Sequence, residues 1–304
     1  MQYFSVLFPA VVLTFFLGCS RPDAPLQHTL PQPCRLYDMK QAACISDASL
    51  VSRLAPYQVL FVGDHHASTA MHARFAELLT TLAGEGRHLL LANEWFVPED
   101  DALLARYAGG SFEGNFTEAV GWSAKAGYPF ASYEPIYGSI RNAKGKLYGI
   151  NMTKAFQKAV SDNNLTAMND AQRTFFEQLD LNLSAHRSML APFFAHCHAK
   201  QTGEDAQQCR ERMYRVQVAW DSYMGEQSAR LAATALQTPD DLLVVFAGAF
   251  HMAYGLGVNA RFARRSERPY VTILPVPKGT AAADVGEADY LLFYTPEAPS
   301  KERE

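Results

Sequence analysis

QVLFVGDHH, residues 58–66, decides the fold. Val59, Leu60, Phe61 and Val62 form an apolar run without alternation, which reads as a short strand buried on both faces. Downstream, Met71, Phe75, Leu78, Leu79 and Leu82 recur at helical spacing, so the segment is a strand–turn–helix unit. Its turn carries Asp64, His65 and His66, and His72 follows in the first turns of the helix. These groups form a metal site, an acid–base site or a polar rim. His66 in the turn and His72 in the helix need not point the same way, and His65 is expected to face solvent.

The same pattern repeats. RHLLLANEW (87–95), KLYGIN (146–151) and DLLVVFAGAF (241–250) read as further buried strands, and YVTILPV (270–276) and DYLLFYT (289–295) close the sheet. Pro98 with Glu99, Asp100 and Asp101 suits the first turn of a helix after the second strand, and Thr153 can cap one that runs towards Val160. A helical block of about 165–237, broken near Gly203, separates the third strand from the fourth. Strands alternating with helices predict an α/β fold: a mostly parallel central sheet flanked by helices, with a helical insertion between the third and fourth strands.

With 304 residues, 48% of them hydrophobic and 12% aromatic, the chain can bury a large core. A formal charge of −4 supplies no basic field for nucleic acid, which is not an expected partner. Residues 1–18, MQYFSVLFPAVVLTFFLG, are apolar, interrupted by Pro9, and too short to span a bilayer comfortably, as in a secretion signal peptide. The run ends at Cys19, where Gly18-Cys19-Ser20 resembles the lipid-attachment box of bacterial lipoproteins. Phe16 and Leu17 depart from that box, and no Lys or Arg precedes the apolar run. A Pro-rich tether (19–33) would then carry a single α/β domain over 34–304, with the membrane reached through the lipid. Cys34, Cys44, Cys197 and Cys209 make an even set in two local couples, which favours the disulfides Cys34–Cys44 and Cys197–Cys209. A zinc reading of His196-Cys197-His198 with Cys209 is weaker, because adjacent side chains point apart.

In open parallel sheets chemistry gathers beyond the carboxyl ends of the strands. Here those ends carry Asp64, His65 and His66; Asn93, Glu94 and Trp95; Asn151; and Gly248 with His251. The helix after Glu211 places Gln217 and Asp221 in an apolar stripe with Met213, Val216, Trp220 and Met224. A buried Asp needs a partner, and histidines of the same cleft are the natural ones. No P-loop, dinucleotide glycine fingerprint, serine nucleophile elbow or zinc-helix motif is present.

Taken in order, LFVGDHH with His72, ANEWF, SYEPIY before GIN, YRVQVAWDSYM and VVFAGAFHMAYGLGVNARF resemble the ChaN-like family of haem-binding lipoproteins, within the Tiki/TraB/ChaN superfamily. The blocks run from about Val59 to Phe262. Asp64 stands where that family usually has Glu, and Ala70-Met71 replaces part of a denser His motif. The resemblance implies an exported, membrane-anchored lipoprotein, periplasmic or surface facing on the outer membrane. It would bind haem for iron or haem uptake, in a cleft at the strand ends or between the subunits of a homodimer. Tyr133, Tyr137, Tyr254, His66 and His251 are then the haem-ligand candidates. The competing reading is a hydrolase of the same superfamily, metal-assisted or not. It would use His66, Glu94 and His251 with Asp64 and Asp221: His66 or Glu94 as general base and His251 steadying an oxyanion.

Overall fold

The computed structural model of the chain describes residues 26–195, 197 and 204–297. The leader, Cys19 with its expected lipid, and the expected break near Gly203 lie outside the described residues. In chain order the elements are β1 (Gln27–Thr29), β2 (Leu36–Asp38), β3 (Ala43–Ile45), α1 (Asp47–Leu54), β4 (Val59–Asp64), α2 (Thr69–Gly84) and β5 (His88–Asn93). Next come α3 (Asp101–Ala108), α4 (Phe116–Ala119), α5 (Trp122–Lys125), α6 (Phe130–Asn142), β6 (Lys146–Gly149), α7 (Lys154–Ser161), α8 (Asp170–Glu177), α9 (Ser184–Phe194) and α10 (Ala206–Thr234). The chain finishes with β7 (Asp241–Gly248), α11 (Val258–Ala263), β8 (Tyr270–Pro277), β9 (Ala282–Asp284) and β10 (Tyr290–Tyr294).

Eight strands form the main sheet in the order β3-β2-β10-β8-β4-β7-β5-β6. From β10 to β6 every pairing is parallel, while β2 runs antiparallel to β10 and β3 to β2. All six strands expected from the apolar runs lie in the parallel block. The short β2 and β3 on the edge, and the β1–β9 ribbon, carry no such run. Among the described residues no helix is long and apolar enough to cross a membrane.

β7 is buried along its whole length because it lies between β4 and β5 and is covered on both faces. Leu242, Val244 and Phe246 join Leu60, Val62, Met71 and Phe75 in the core on the α2 and α6 side. Leu243, Val245 and Ala247 join Val59, Phe61, Met224 and Phe262 in the core on the α10 and α11 side. Each such large apolar side chain contributes on the order of 1.5–3 kcal/mol. The sheet is thus clamped from both faces, and its strand ends are rigid platforms.

The disulfides pair Cys34 with Cys44 and Cys197 with Cys209. The second bond consumes both thiols of the zinc alternative; His196 and His198 lie outside the described residues.

The strand order makes the crevice. The chain lays down β4, β5 and β6, then returns with β7 between β4 and β5. Asp64 pairs in register with Gly248, and Asn93 with Phe246, so three polar strand ends meet although β7 follows β5 by a long helical excursion.

Candidate functional site

Asp64 ends β4 as a buried carboxylate with both oxygens hydrogen-bonded. Oδ2 is 2.8 Å from His66 Nδ1 and accepts from the Tyr133 hydroxyl at 3.2 Å, while Oδ1 is 2.7 Å from His72 Nε2. Nδ1 of His72 donates to the Ser132 carbonyl at 2.7 Å, which fixes that ring between α2 and α6. Burial pushes Asp64 upward, but the hydrogen bonds from His66 and His72 outweigh it and hold the carboxyl below its ordinary value. Ala67, held in the left-handed region at φ 61°, tightens the turn, and its N–H donates to Tyr133 Oη.

A second carboxylate mirrors the first. Asp221, fully buried on α10, lies 2.5 Å through Oδ1 from His251 Nδ1, and 3.0 Å through Oδ2 from His186 Nε2 on α9. Arg261 can only donate, so its contact of 3.3 Å with His186 Nδ1 places the His186 proton on Nε2, towards Asp221. The Gln217 amide lies 2.9 Å from His251 Nδ1. Burial again opposes the charge on Asp221, and His251 and His186 overcome it, so its carboxyl is lowered. The imidazole of His251 is raised: burial lowers it, and Asp221 more than compensates.

Glu94 stands between the two Asp–His pairs. Its Oε2 accepts from the Gly248 N–H at 3.0 Å and is 3.8 Å from His251 Nε2. Its Oε1 is 3.7 Å from His66 Nε2, is buried, and has no hydrogen-bond partner among the described residues. Burial lifts the Glu94 carboxyl above the ordinary range, against the pull of His251 and His66. His66 is raised: burial opposes, and Asp64 and Glu94 outweigh it. Both rings engage their Asp through Nδ1 and turn Nε2 towards Glu94, the orientation that a second carboxylate imposes on a working imidazole. Gly248 makes room for this: a Cβ there would lie 3.1 Å and 3.2 Å from ring atoms of His66 and 3.4 Å from His251. Asp64, His66 and Glu94 offer ligand atoms within 4.8 Å of one another, but both Asp64 oxygens are already engaged by imidazoles.

His66 separates two concavities. On one side is a cleft of about 510 Å³ floored by Glu94, His66 and His251 and walled by Trp95, Tyr128 and Trp220. On the other is a wider, more apolar trough of about 800 Å³, which reaches Met189, Phe193, Ala249, Phe250, Leu256 and Tyr254. Phe193 and Phe250 meet at 4.0 Å yet stay 50% and 49% exposed, an aromatic pair left open at the trough's lip. Tyr254 lies in the left-handed region at φ 57°, and its hydroxyl donates to Asp284 at 2.6 Å.

The sequence-derived candidates therefore divide. His66, Glu94 and His251 come together around one opening, while Asp64 and Asp221 sit behind the imidazoles and orient them. Tyr133 and Tyr137 do not reach either concavity as ligands: both are fully buried, Tyr133 bound to Asp64 and Tyr137 accepting from Asn93 at 2.9 Å. Tyr254 does reach the trough. The solvent-facing histidine of the turn is His66 rather than His65. The His65 ring packs on Tyr294, Nδ1 lies 2.8 Å from its hydroxyl, and burial lowers its pKa. His186 was not among the sequence candidates, and Tyr214 and Arg261 entered only as members of the matched blocks YRVQVAWDSYM and VVFAGAFHMAYGLGVNARF; their contacts reach Asp221 only through folding.

Fold and site define a class: an α/β protein with a parallel sheet and a histidine–glutamate crevice at its strand ends, beside an apolar trough. The chain belongs to the family described as haem-binding uptake, Tiki superfamily, ChaN, whose profile matches residues 50–262. The fold is similar to that of ChaN of Campylobacter jejuni in a structure of cofacial heme binding, with a TM-score of 0.62 at 16% identity over 86% of this chain and 96% of that one. A mutant of erythromycin esterase EreC in its open conformation aligns with a TM-score of 0.46 at 13% identity, over 86% of this chain and 83% of that one. The type III effector HopBA1 aligns with a TM-score of 0.44 at 14% identity, over 83% and 94%. No curated protein matches the sequence.

Proposed function

We propose that this chain carries haem in an iron- or haem-uptake route, that the haem lies in the apolar trough, and that Tyr254 supplies the ligand to iron. The observation that carries this reading is the open aromatic lip, Phe193 against Phe250, beside a tyrosine whose hydroxyl is held by Asp284 at 2.6 Å. A planar macrocycle is held chiefly by apolar and aromatic contact, and the trough supplies it. Asp284 holds the Tyr254 hydroxyl in place at the trough, and neutral His65 offers a second nitrogen on the same wall. An outward-facing lip leaves the exposed haem face to a second copy, as in a homodimer. The leader ending at Cys19 supports an exported lipoprotein held on the outer membrane by its lipid.

The test is a visible-absorption titration of the protein with haemin. A saturable, shifted Soret band that Tyr254→Phe abolishes and Tyr133→Phe leaves intact is expected. Weak, non-saturating binding insensitive to Tyr254, His65 and His66 substitutions would sink the reading.

The unpartnered Oε1 of Glu94 between two Asp-backed imidazoles favours a second reading, ester hydrolysis in the polar cleft. His66 Nε2 takes a proton from water, the water oxygen bonds to the acyl carbon, and the carbonyl oxygen gains negative charge beside His251. The acyl C–O bond then breaks and the leaving oxygen takes a proton from Glu94, giving acid and alcohol. Asp64 and Asp221 position the rings throughout.

A further inference from the structure

We infer that the polar cleft takes a small aromatic ester bearing an oxyanion, a carboxylate or a phosphate, and that Lys154 is the specificity residue that receives it. The substrate class rests on the hydrolytic reading above; the anion site does not.

Aromatic side chains wall the cleft. Trp95 and Trp220 both line that wall. Trp95 follows β5 and Trp220 lies on α10, so the two rings enter from opposite sides of the sheet end. The same cleft holds the buried, unpartnered Oε1 of Glu94. Burial keeps that carboxyl above the ordinary range, so the floor repels an anion less than its composition implies.

The charge at the mouth points the same way. Lys125, in the cleft wall, is tied to Asp100; in the adjoining pocket that shares Lys154, Lys158 is tied to Asp162 and Arg212 to Glu204. Lys154, in the cleft wall and exposed, has no acidic partner among the described residues. It is the first residue of α7, whose cap Thr153 also lines the cleft, so the positive end of that helix adds to the ammonium. Tyr128 and the two indoles supply faces for an aromatic ring between the lysine and the Glu94 floor. The trough is unlike this: it is apolar and holds Asp284 and Glu287.

Binding and turnover are measured separately. Quenching of tryptophan fluorescence is titrated with benzoate, phenyl phosphate and neutral benzamide. Both anions, or whichever of them is the native chemistry, are expected to saturate where benzamide does not. Lys154→Met is expected to weaken that binding roughly tenfold, as loss of a charge-assisted contact does, with Lys154→Arg retaining it. Hydrolysis of 4-nitrophenyl acetate is compared with that of mono-4-nitrophenyl succinate. A preference for the charged ester that Lys154→Met removes through KM, with kcat kept, supports the full inference. Anion binding without turnover of either ester keeps the anion site and removes the hydrolytic reading and the substrate class with it. Turnover lost in Glu94→Gln but indifferent to ester charge and to Lys154 keeps the hydrolytic reading and overturns this inference. So does equal binding, or equal failure to bind, of the anions and benzamide.

Discussion

The carboxylate of Asp221 and the imidazole of His251 meet at 2.5 Å, across 30 residues of chain and from a helix to the turn beyond a strand. Asp64 does the same for His66 at 2.8 Å across a single tight turn. Two rings reached by different routes are thereby given one tautomer, with Nε2 facing Glu94. Behind each carboxylate stands a second histidine, His186 or His72, fully buried and donating nothing to the open site. The crevice is supported from behind on both sides, so its geometry does not depend on a ligand.

Removing Asp221 should be costly. Asp221→Leu leaves His186 and His251 without their acceptor, and a broken buried pair is expected to lose about 3–5 kcal/mol in urea denaturation. Asp221→Asn keeps the shape and should lose less. An Asp221→Leu protein as stable as the parent would refute the supporting role.

The pH profile of stability follows from the same contact. Asp221 is lowered on folding, so its contribution is complete above the ordinary value of 3.8 and is lost as pH falls below it through the lowered value. His251 is raised, so its contribution is complete below 6.5 and is lost as pH rises through the raised value. Melting temperature across the acid and neutral ranges should fall on both limbs, and Asp221→Asn should flatten both. An unchanged profile in that variant would assign the limbs to other groups.

Gly248→Ala tests the fit of the two rings. Its Cβ would press on His66, which is partly exposed and free to swing off Asp64. A titration of His66 followed by its imidazole NMR signal should then move down in pH, because Asp64 and Glu94 are what raise it. An unmoved titration would show that the ring accommodates the methyl without leaving its carboxylate.

Two tyrosines should separate cleanly. Tyr133→Phe removes buried hydrogen bonds to Asp64 and Ala67 and should cost about 1 kcal/mol of stability with the haem titration intact. Tyr254→Phe should abolish the shifted Soret band with little change in melting, since its hydroxyl lies at a partly exposed surface. The reverse outcome would move the ligand from the trough into the core.

The Cys197–Cys209 bond fastens the end of α9 to the start of α10, and α9 supplies Met189, Pro192 and Phe193 to the trough. Replacing both cysteines by serine should cost about 2–3 kcal/mol, as expected for so short a loop. Haem affinity should fall while binding in the polar cleft persists. Equal loss at both sites would mean that the bond holds the whole helical layer.

The parallel sheet was legible in the sequence because its strands are buried on both faces and carry unbroken apolar runs; the edge strands β2 and β3, three residues each, leave no such mark. The polar residues at the strand ends were legible as a group, and so was a buried Asp221 in need of a histidine. Three matters were decided only by tertiary structure. Insertion of β7 between β4 and β5 brings Gly248 to Glu94 across 154 residues, a pairing that no local pattern encodes. Side-chain direction in the turn gives His66 to the opening and His65 to Tyr294. Burial closes off Tyr133 and Tyr137 and leaves Tyr254 at the trough. Local periodicity says which residues leave water, whereas long-range packing decides which of the polar remainder face each other, because that depends on strand order and on the layers that cover it.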